Sequence, residues 1–314
     1  MTRQFVGELA PGIVVPATGC VMGADDAEVG AGFTGPNGIE TLTGRKVPIH
    51  NHHRSIGTAS LGEITDTLKA DIAAGAIPML SINGAGWPSG GYPVVLAGYY
   101  EAWLRQLGGA LGALGTGVLF RFLMEMNGQH NPYYGATPGS PTPAPASYVA
   151  FWTRALDLIE PLAPNVVSIW CPQEYGDDTA SLAAQYLPVN RLPKIIGVDH
   201  YRSTLEAALP FFDLARNHGR LTMICEAGYQ HGQTVTDSRG LTFDKDASVT
   251  GNSLILRVAN QLQHWPNVWA YVLWPCLGNV VINGQRADNR IQTTPASLAQ
   301  HKMFMNRAYY GGTP

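Results

Sequence analysis

Eight short apolar runs, each bounded by Gly, Pro or Asn and separated by amphipathic stretches, constrain this chain more than any other feature. They are Thr18–Gly23, Lys46–His52, Ile77–Asn83, Gly117–Met124, Val166–Pro172, Ile195–Tyr201, Leu221–Glu226 and Trp269–Trp274. Runs such as Ile77-Pro78-Met79-Leu80-Ser81-Ile82 and Val166-Val167-Ser168-Ile169-Trp170 are nearly all apolar, as strands of a parallel sheet buried on both faces are. Between the runs the spacing predicts helices over Leu61–Ala74, Leu96–Leu114, Ala146–Leu162, Thr204–His218, Ser253–Trp265 and Ala296–Tyr309, with weaker helical segments in Asp26–Thr43 and Ser181–Tyr186. Thr204 reads as an N-cap and Gly219 as the residue that stops its helix. Strict βα alternation with eight strands predicts a (β/α)8 TIM barrel, one catalytic domain over residues 1–314. An open doubly wound sheet is the rival. Its Gly-rich fingerprint should follow the first strand, and Gly30-Ala31-Gly32-Phe33-Thr34-Gly35 stands in the wrong context.

Composition narrows the function. Hydrophobic residues make up 45% of the 314 and charged residues 14%, which implies a large core and a sparsely charged surface. A net charge of −3 without a Lys/Arg cluster argues against a nucleic-acid partner, so the expected substrate is neutral. No apolar run reaches the ~20 residues that span a bilayer. The first residues show no basic segment followed by an apolar one, so no secretory signal is visible, and localisation stays open: extracellular if a signal was removed. The expected state is a monomer. Cys20, Cys171, Cys225 and Cys276 form no C-x-x-C pair and read as buried thiols, so no cofactor is expected. The Pro-rich stretch near 129–146 and the polar stretch near 229–252 read as loops on the barrel rim.

In a TIM barrel the chemistry sits where strands end. The fourth run ends Leu123-Met124-Glu125-Met126-Asn127-Gly128, and the seventh ends Cys225-Glu226-Ala227-Gly228. Burying a carboxylate without use is costly. Two carboxyls across a barrel mouth suit glycoside hydrolysis: one protonates the leaving oxygen, the other attacks the anomeric carbon. We therefore expect Glu125 as acid/base and Glu226 as nucleophile, with Arg121 keeping one of them ionised. Taken singly, each Glu also reads as a salt-bridged strand end.

Around these residues the chain resembles glycoside hydrolase family 26, whose pattern on strand four is approximately Arg, two residues, His-Glu-Met-Asn-Gly. Here that reads Arg121-Phe122-Leu123-Met124-Glu125-Met126-Asn127-Gly128. Tyr148–Arg154, Ile169-Trp170-Cys171-Pro172 and Ile196–Tyr201 follow the family's order, and the resemblance runs from about Gly19 to Trp274. It implies a retaining β-glycanase acting on a polysaccharide, β-mannan first, with β-glucan or β-1,3-xylan as alternatives. It also implies that Tyr201 hydrogen-bonds the nucleophile. Met124 departs from the pattern, standing where the family has a His that helps position substrate or nucleophile. That gives a second reading, a barrel that binds carbohydrate without cleaving it.

Further candidates for substrate contact are Arg121 and Tyr201, Trp274, Trp170 and Trp87 as stacking platforms, and Asn127, His200 and His52. His50 and His52 share one side of a strand, and with His200 and Asp199 they suggest a third reading, a metal-dependent hydrolase. That class also wants an acidic ligand near the end of strand eight, where Trp274-Pro275-Cys276 stands. No metal is therefore expected.

Overall fold

The computed structural model describes residues 6–25, 33–34, 38–135, 144–174, 179–201, 205–228, 234–236, 242–244, 254–265, 267–273, 277–282, 285–288 and 295–305. Eight parallel strands close into a barrel: β1 (Val21–Asp25), β2 (Ile49–Ser55), β3 (Ile77–Asn83), β4 (Val118–Phe122), β5 (Val166–Trp170), β6 (Ile195–His200), β7 (Leu221–Ala227) and β8 (Val268–Leu273). Neighbours in sequence pair in space, and β8 closes the ring by pairing with both β7 and β1. All eight expected strands form, with ends shifted by a few residues.

Alternation along each strand builds two cores. Val21, Ile49, Met79, Leu119, Ile169, Ile195, Met223 and Val272 point inward and fill the barrel. Their neighbours, such as Met22, Leu80, Phe120, Trp170 and Ile224, point outward against the helices. Those are α1 (Ile39–Thr43), α2 (Leu61–Ala73), α3 (Gly91–Leu96), α4 (Glu101–Gly112), α5 (Pro145–Ile159), α6 (Thr179–Gln185), α7 (Leu209–Asn217), α8 (Leu254–Leu262) and α9 (Pro295–Met305). Where a strand passes close to another side chain, glycine is required. A Cβ on Gly197 in β6 would lie 2.3 Å from Cys225 Sγ. Cys20, Cys171 and Cys225 are buried free thiols, as expected, and Cys276 lies outside the described residues.

Two expected helices differ. The helix expected over Leu96–Leu114 starts only at Glu101, as α4, because Gly98 at φ 106 separates it from α3, which ends at Leu96. The helix expected from Thr204, which lies outside the described residues, begins as a 3₁₀ turn at Leu205–Ala208. It becomes α-helical only at Leu209, with Pro210 in the first turn, where a missing N–H costs nothing. Gly219, at φ 63, does end it.

An unexpected hairpin, Gly7–Ala10 with Ile13–Val15, plugs the N-terminal end of the barrel. Its Ala10, Ile13 and Val15 join the inner core, and Pro11 O accepts from Gly117 N at 2.6 Å. Two more antiparallel hairpins form: Thr234–Thr236 with Thr242–Asp244, in the stretch read as a rim loop, and Leu277–Ile282 with Gln285–Asp288, in a stretch given no expected element.

Candidate active site

The inward phase of each strand, followed to its C-terminal end, brings a set of polar side chains together. Asp25 ends β1, Asn51 and His53 lie on β2, Ser81 on β3, Arg121 on β4, Asp199 on β6 and Glu226 on β7. Tyr201 follows β6. On β7 the register shifts opposite Val198 and Asp199, so that Glu226, rather than Cys225, lies beside Asp199.

Arg121 organises this layer. It is completely buried, and its guanidinium uses three nitrogens. Nε donates to Ser81 Oγ at 2.8 Å, Nη1 to Asp199 Oδ1 at 2.7 Å, and Nη2 to Glu226 Oε1. Full burial means that Arg121 cannot touch substrate, which corrects its expected place among the substrate contacts. Its effect falls on the carboxylates.

Glu226 meets donors at both oxygens. Oε1 faces Arg121 and lies 3.2 Å from His53 Nε2, while Oε2 accepts from the Tyr201 hydroxyl at 2.5 Å. Burial alone would raise its pKa. Arg121, then His53 and Tyr201, reverse this and hold Glu226 below the ordinary glutamate value. Asp199 goes the other way: burial pushes it well above the usual carboxylate range despite Arg121. Around one guanidinium, burial thus opposes ionisation of Asp199, while the donors around Glu226 favour it there. The Tyr201 phenol is pushed up by burial and by Glu226, so it remains a donor. Tyr201 occupies the position that the resemblance implies.

Glu125 is reached by a kink. Leu123 and Glu125 both adopt positive φ, 49 and 55, which costs a residue bearing a Cβ on the order of 1–3 kcal/mol. Neighbouring strands hold the kink: Leu123 N donates to Ile82 O at 2.8 Å and Glu125 N to Cys171 O at 2.7 Å. The Glu125 side chain, 19% exposed, pairs through Oε2 with His130 Nε2 at 2.9 Å. That hydrogen bond, more than offsetting burial, raises the His130 pKa. One carboxylate oxygen each of Glu125, Asp199 and Glu226 lie within 4.8 Å of one another.

Several expected contacts lie elsewhere. His52 points outward, and its Nε2 pairs with Asp71 Oδ2 on α2 at 2.8 Å. His50 pairs with the other oxygen of Asp71 at 2.8 Å and stacks on Phe33. His200, completely buried, points outward and pairs with Glu174 at 2.8 Å. These three histidines therefore do not converge on the mouth. The β2 histidine that does reach the mouth is His53, which was not among the expected contacts. Counting by twos from inward Ile49 through Asn51 reaches it.

Trp170 lies wholly buried in the helix-facing core and offers no face to a sugar. Trp87 follows β3 but packs its ring among Tyr92, Tyr100, Tyr133 and Phe151. Asn127 is buried and clasps Gln173 twice, Nδ2 to O at 2.8 Å and Oδ1 from N at 3.0 Å. It braces the loop carrying Glu125 and does not face the mouth. Met124 lines the inner core. Trp274 lies outside the described residues, as do parts of both rim loops.

No protein-family model matches the chain, and no curated protein sequence matches it. Solved structures do. The catalytic domain of the Bacillus sp. JAMB-750 family 26 endo-β-1,4-mannanase superposes with a TM-score of 0.67 at 14% identity, covering 93% of this chain and 86% of that one. A double mutant of the Cellulomonas fimi endo-β-1,4-mannanase gives 0.66 at 14% identity, covering 93% and 71%. The Ignisphaera aggregans family 53 catalytic domain gives 0.57 at 14% identity, covering 96% and 98%. At such identities the likeness is one of architecture: this chain has the closed (β/α)8 barrel found in glycoside hydrolases of families 26 and 53.

Proposed function

We propose that the chain is a retaining β-glycoside hydrolase, with Glu226 as nucleophile and Glu125 as general acid/base. The observation that carries this reading is the approach of the two carboxyls, with oxygens within 4.8 Å of each other. Retaining enzymes hold their carboxyls about 5–5.5 Å apart, whereas inverting enzymes need about 6.5–9.5 Å to admit a water. Their environments also differ in the required sense. Glu226, fixed by Arg121 and Tyr201, is kept ionised and aimed. Glu125 stands apart from that cage, partly exposed beside His130, where a proton can be given up and replaced.

In the first step a Glu226 oxygen bonds to the anomeric carbon as the glycosidic C–O bond breaks, and Glu125 protonates the departing oxygen. In the second, Glu125 takes a proton from water, whose oxygen displaces Glu226.

The substrate is a neutral polysaccharide, with β-1,4-mannan first. The family 26 motif around Glu125 and the likeness to two mannanases support that choice. Residues 1–314 act as one catalytic domain, without a metal or organic cofactor. A panel of β-mannan, β-1,4-galactan, β-glucan and β-1,3-xylan tests it, read by release of reducing ends and by NMR of the first-formed anomer. We expect β-mannan to be cleaved with the β-anomer appearing first. An α-anomer appearing first would reject the retaining mechanism.

A further inference from the structure

The steps above give no role to His53, although its Nε2 lies 3.2 Å from Glu226 Oε1. The same nitrogen lies 2.6 Å from Asp25 Oδ2. Asp25, buried at the end of β1, also accepts from Asn51 Nδ2 at 2.7 Å. Asn51 Oδ1 accepts from Ser81 Oγ at 2.7 Å, and Ser81 Oγ accepts from Arg121 Nε at 2.8 Å. A closed circuit of bonds therefore leaves Glu226 through His53 and returns through Arg121. Among the described residues, the charged groups around His53 are Asp25 from β1, Arg121 from β4, whose Nη2 lies 3.3 Å from the same Nε2, Glu226 from β7, and Arg54, which donates to the His53 carbonyl at 2.7 Å. Asp199 and Tyr201 lie one step beyond, against Arg121 and Glu226. Both carboxylates meet the one nitrogen Nε2, and two anions so close favour the charged ring. Burial would lower its pKa, but Asp25 and then Glu226 raise it to about 10.

We propose that His53, held charged by Asp25, is a positioning residue for Glu226, a second cation that fixes Oε1 and keeps the nucleophile ionised. Arg121 alone divides its charge between Asp199 and Glu226, and His53 makes up the difference. When Glu226 becomes an ester in the covalent intermediate its charge disappears, and Asp25 then keeps the imidazolium paired.

This inference rests on Glu226 being the nucleophile, so the experiment separates the two. His53→Gln, Asp25→Asn and Glu226→Gln are compared by long-range 1H–15N NMR of the His53 imidazole and by pH profiles of kcat/KM on soluble β-1,4-mannan. In the wild type we expect both imidazole nitrogens protonated at pH 8, and in Asp25→Asn a neutral ring at that pH. For His53→Gln we expect kcat lowered roughly 10- to 100-fold with little change in KM, the size of effect a misplaced reacting group produces. The acid limb of its profile should also move up by about one pH unit. A singly protonated His53 at pH 7 in the wild type, or an unmoved acid limb in His53→Gln beside an inactive Glu226→Gln, overturns the inference alone. Full activity in Glu226→Gln overturns the nucleophile assignment and this inference with it.

Discussion

Arg121 on β4 stands four residues before Glu125, which follows that strand, yet its guanidinium is spent on Glu226, across the barrel on β7. The strand carries both halves of the arrangement: the acid/base at its kinked end, and the cation that holds the opposite carboxylate beneath it. Replacing Arg121 by Met leaves Glu226 and Asp199 buried without their shared partner. Breaking a buried pair from one side costs about 3–5 kcal/mol. We expect a large fall in the denaturant midpoint and a loss of kcat/KM of at least about 100-fold. Arg121→Lys should recover stability better than activity, because one ammonium cannot reproduce three directed donors.

Glu125→Ala should show its role through the leaving group. If Glu125 supplies the proton, removing it slows cleavage of mannan, whose leaving oxygen is poor, far more than cleavage of an aryl glycoside whose phenolate departs unaided. Equal losses on both substrates, measured as kcat/KM, would argue against the acid role.

His52 and Asp71 make a different prediction, because they face the helices. His52→Ala should cost about 1–3 kcal/mol by leaving half of buried Asp71 unsatisfied, with kcat and KM unchanged. Burial would raise the Asp71 pKa, but His50 and His52 lower it below the ordinary aspartate value. A depressed carboxyl stabilises the fold fully above its unfolded pKa, about 3.9, and progressively less as pH falls through the lower folded value. Melting temperatures below about pH 4 should therefore drop more steeply in the wild type than in Asp71→Asn.

Trp170→Ala should cost about 3–5 kcal/mol through the cavity it leaves, and Trp170→Phe less. Neither should change KM for mannan, because the ring packs between strand and helix. A raised KM in a stable Trp170→Phe would return this residue to the substrate site.

How far the sequence foretold this arrangement follows from where each side chain found its partner. β3 forms over the expected Ile77–Asn83, because two-sided burial leaves a run that is apolar but for Ser81 and the terminal Asn83. Glu125 and Glu226 were legible as the acids that end such runs. The histidines of β2 were not, since Ile49-His50-Asn51-His52-His53 has too few apolar residues to mark its phase. Asp71, which takes His50 and His52, lies on a helix many residues later, and the strand continues to Ser55, past the expected end at His52. The hairpin that plugs the barrel escaped notice because strands of four and three residues carry too little pattern. Asn127 belongs to the matching motif, but its amide is satisfied by Gln173 through a contact that only the fold brings about.

The central claim is tested most directly by trapping the covalent intermediate. The protein is incubated with a 2-deoxy-2-fluoro β-mannoside carrying a good leaving group, digested, and mapped by mass spectrometry. The account predicts a single glycosylated peptide with the sugar on Glu226. A sugar on any other residue, or turnover of the reagent with no adduct, would contradict it.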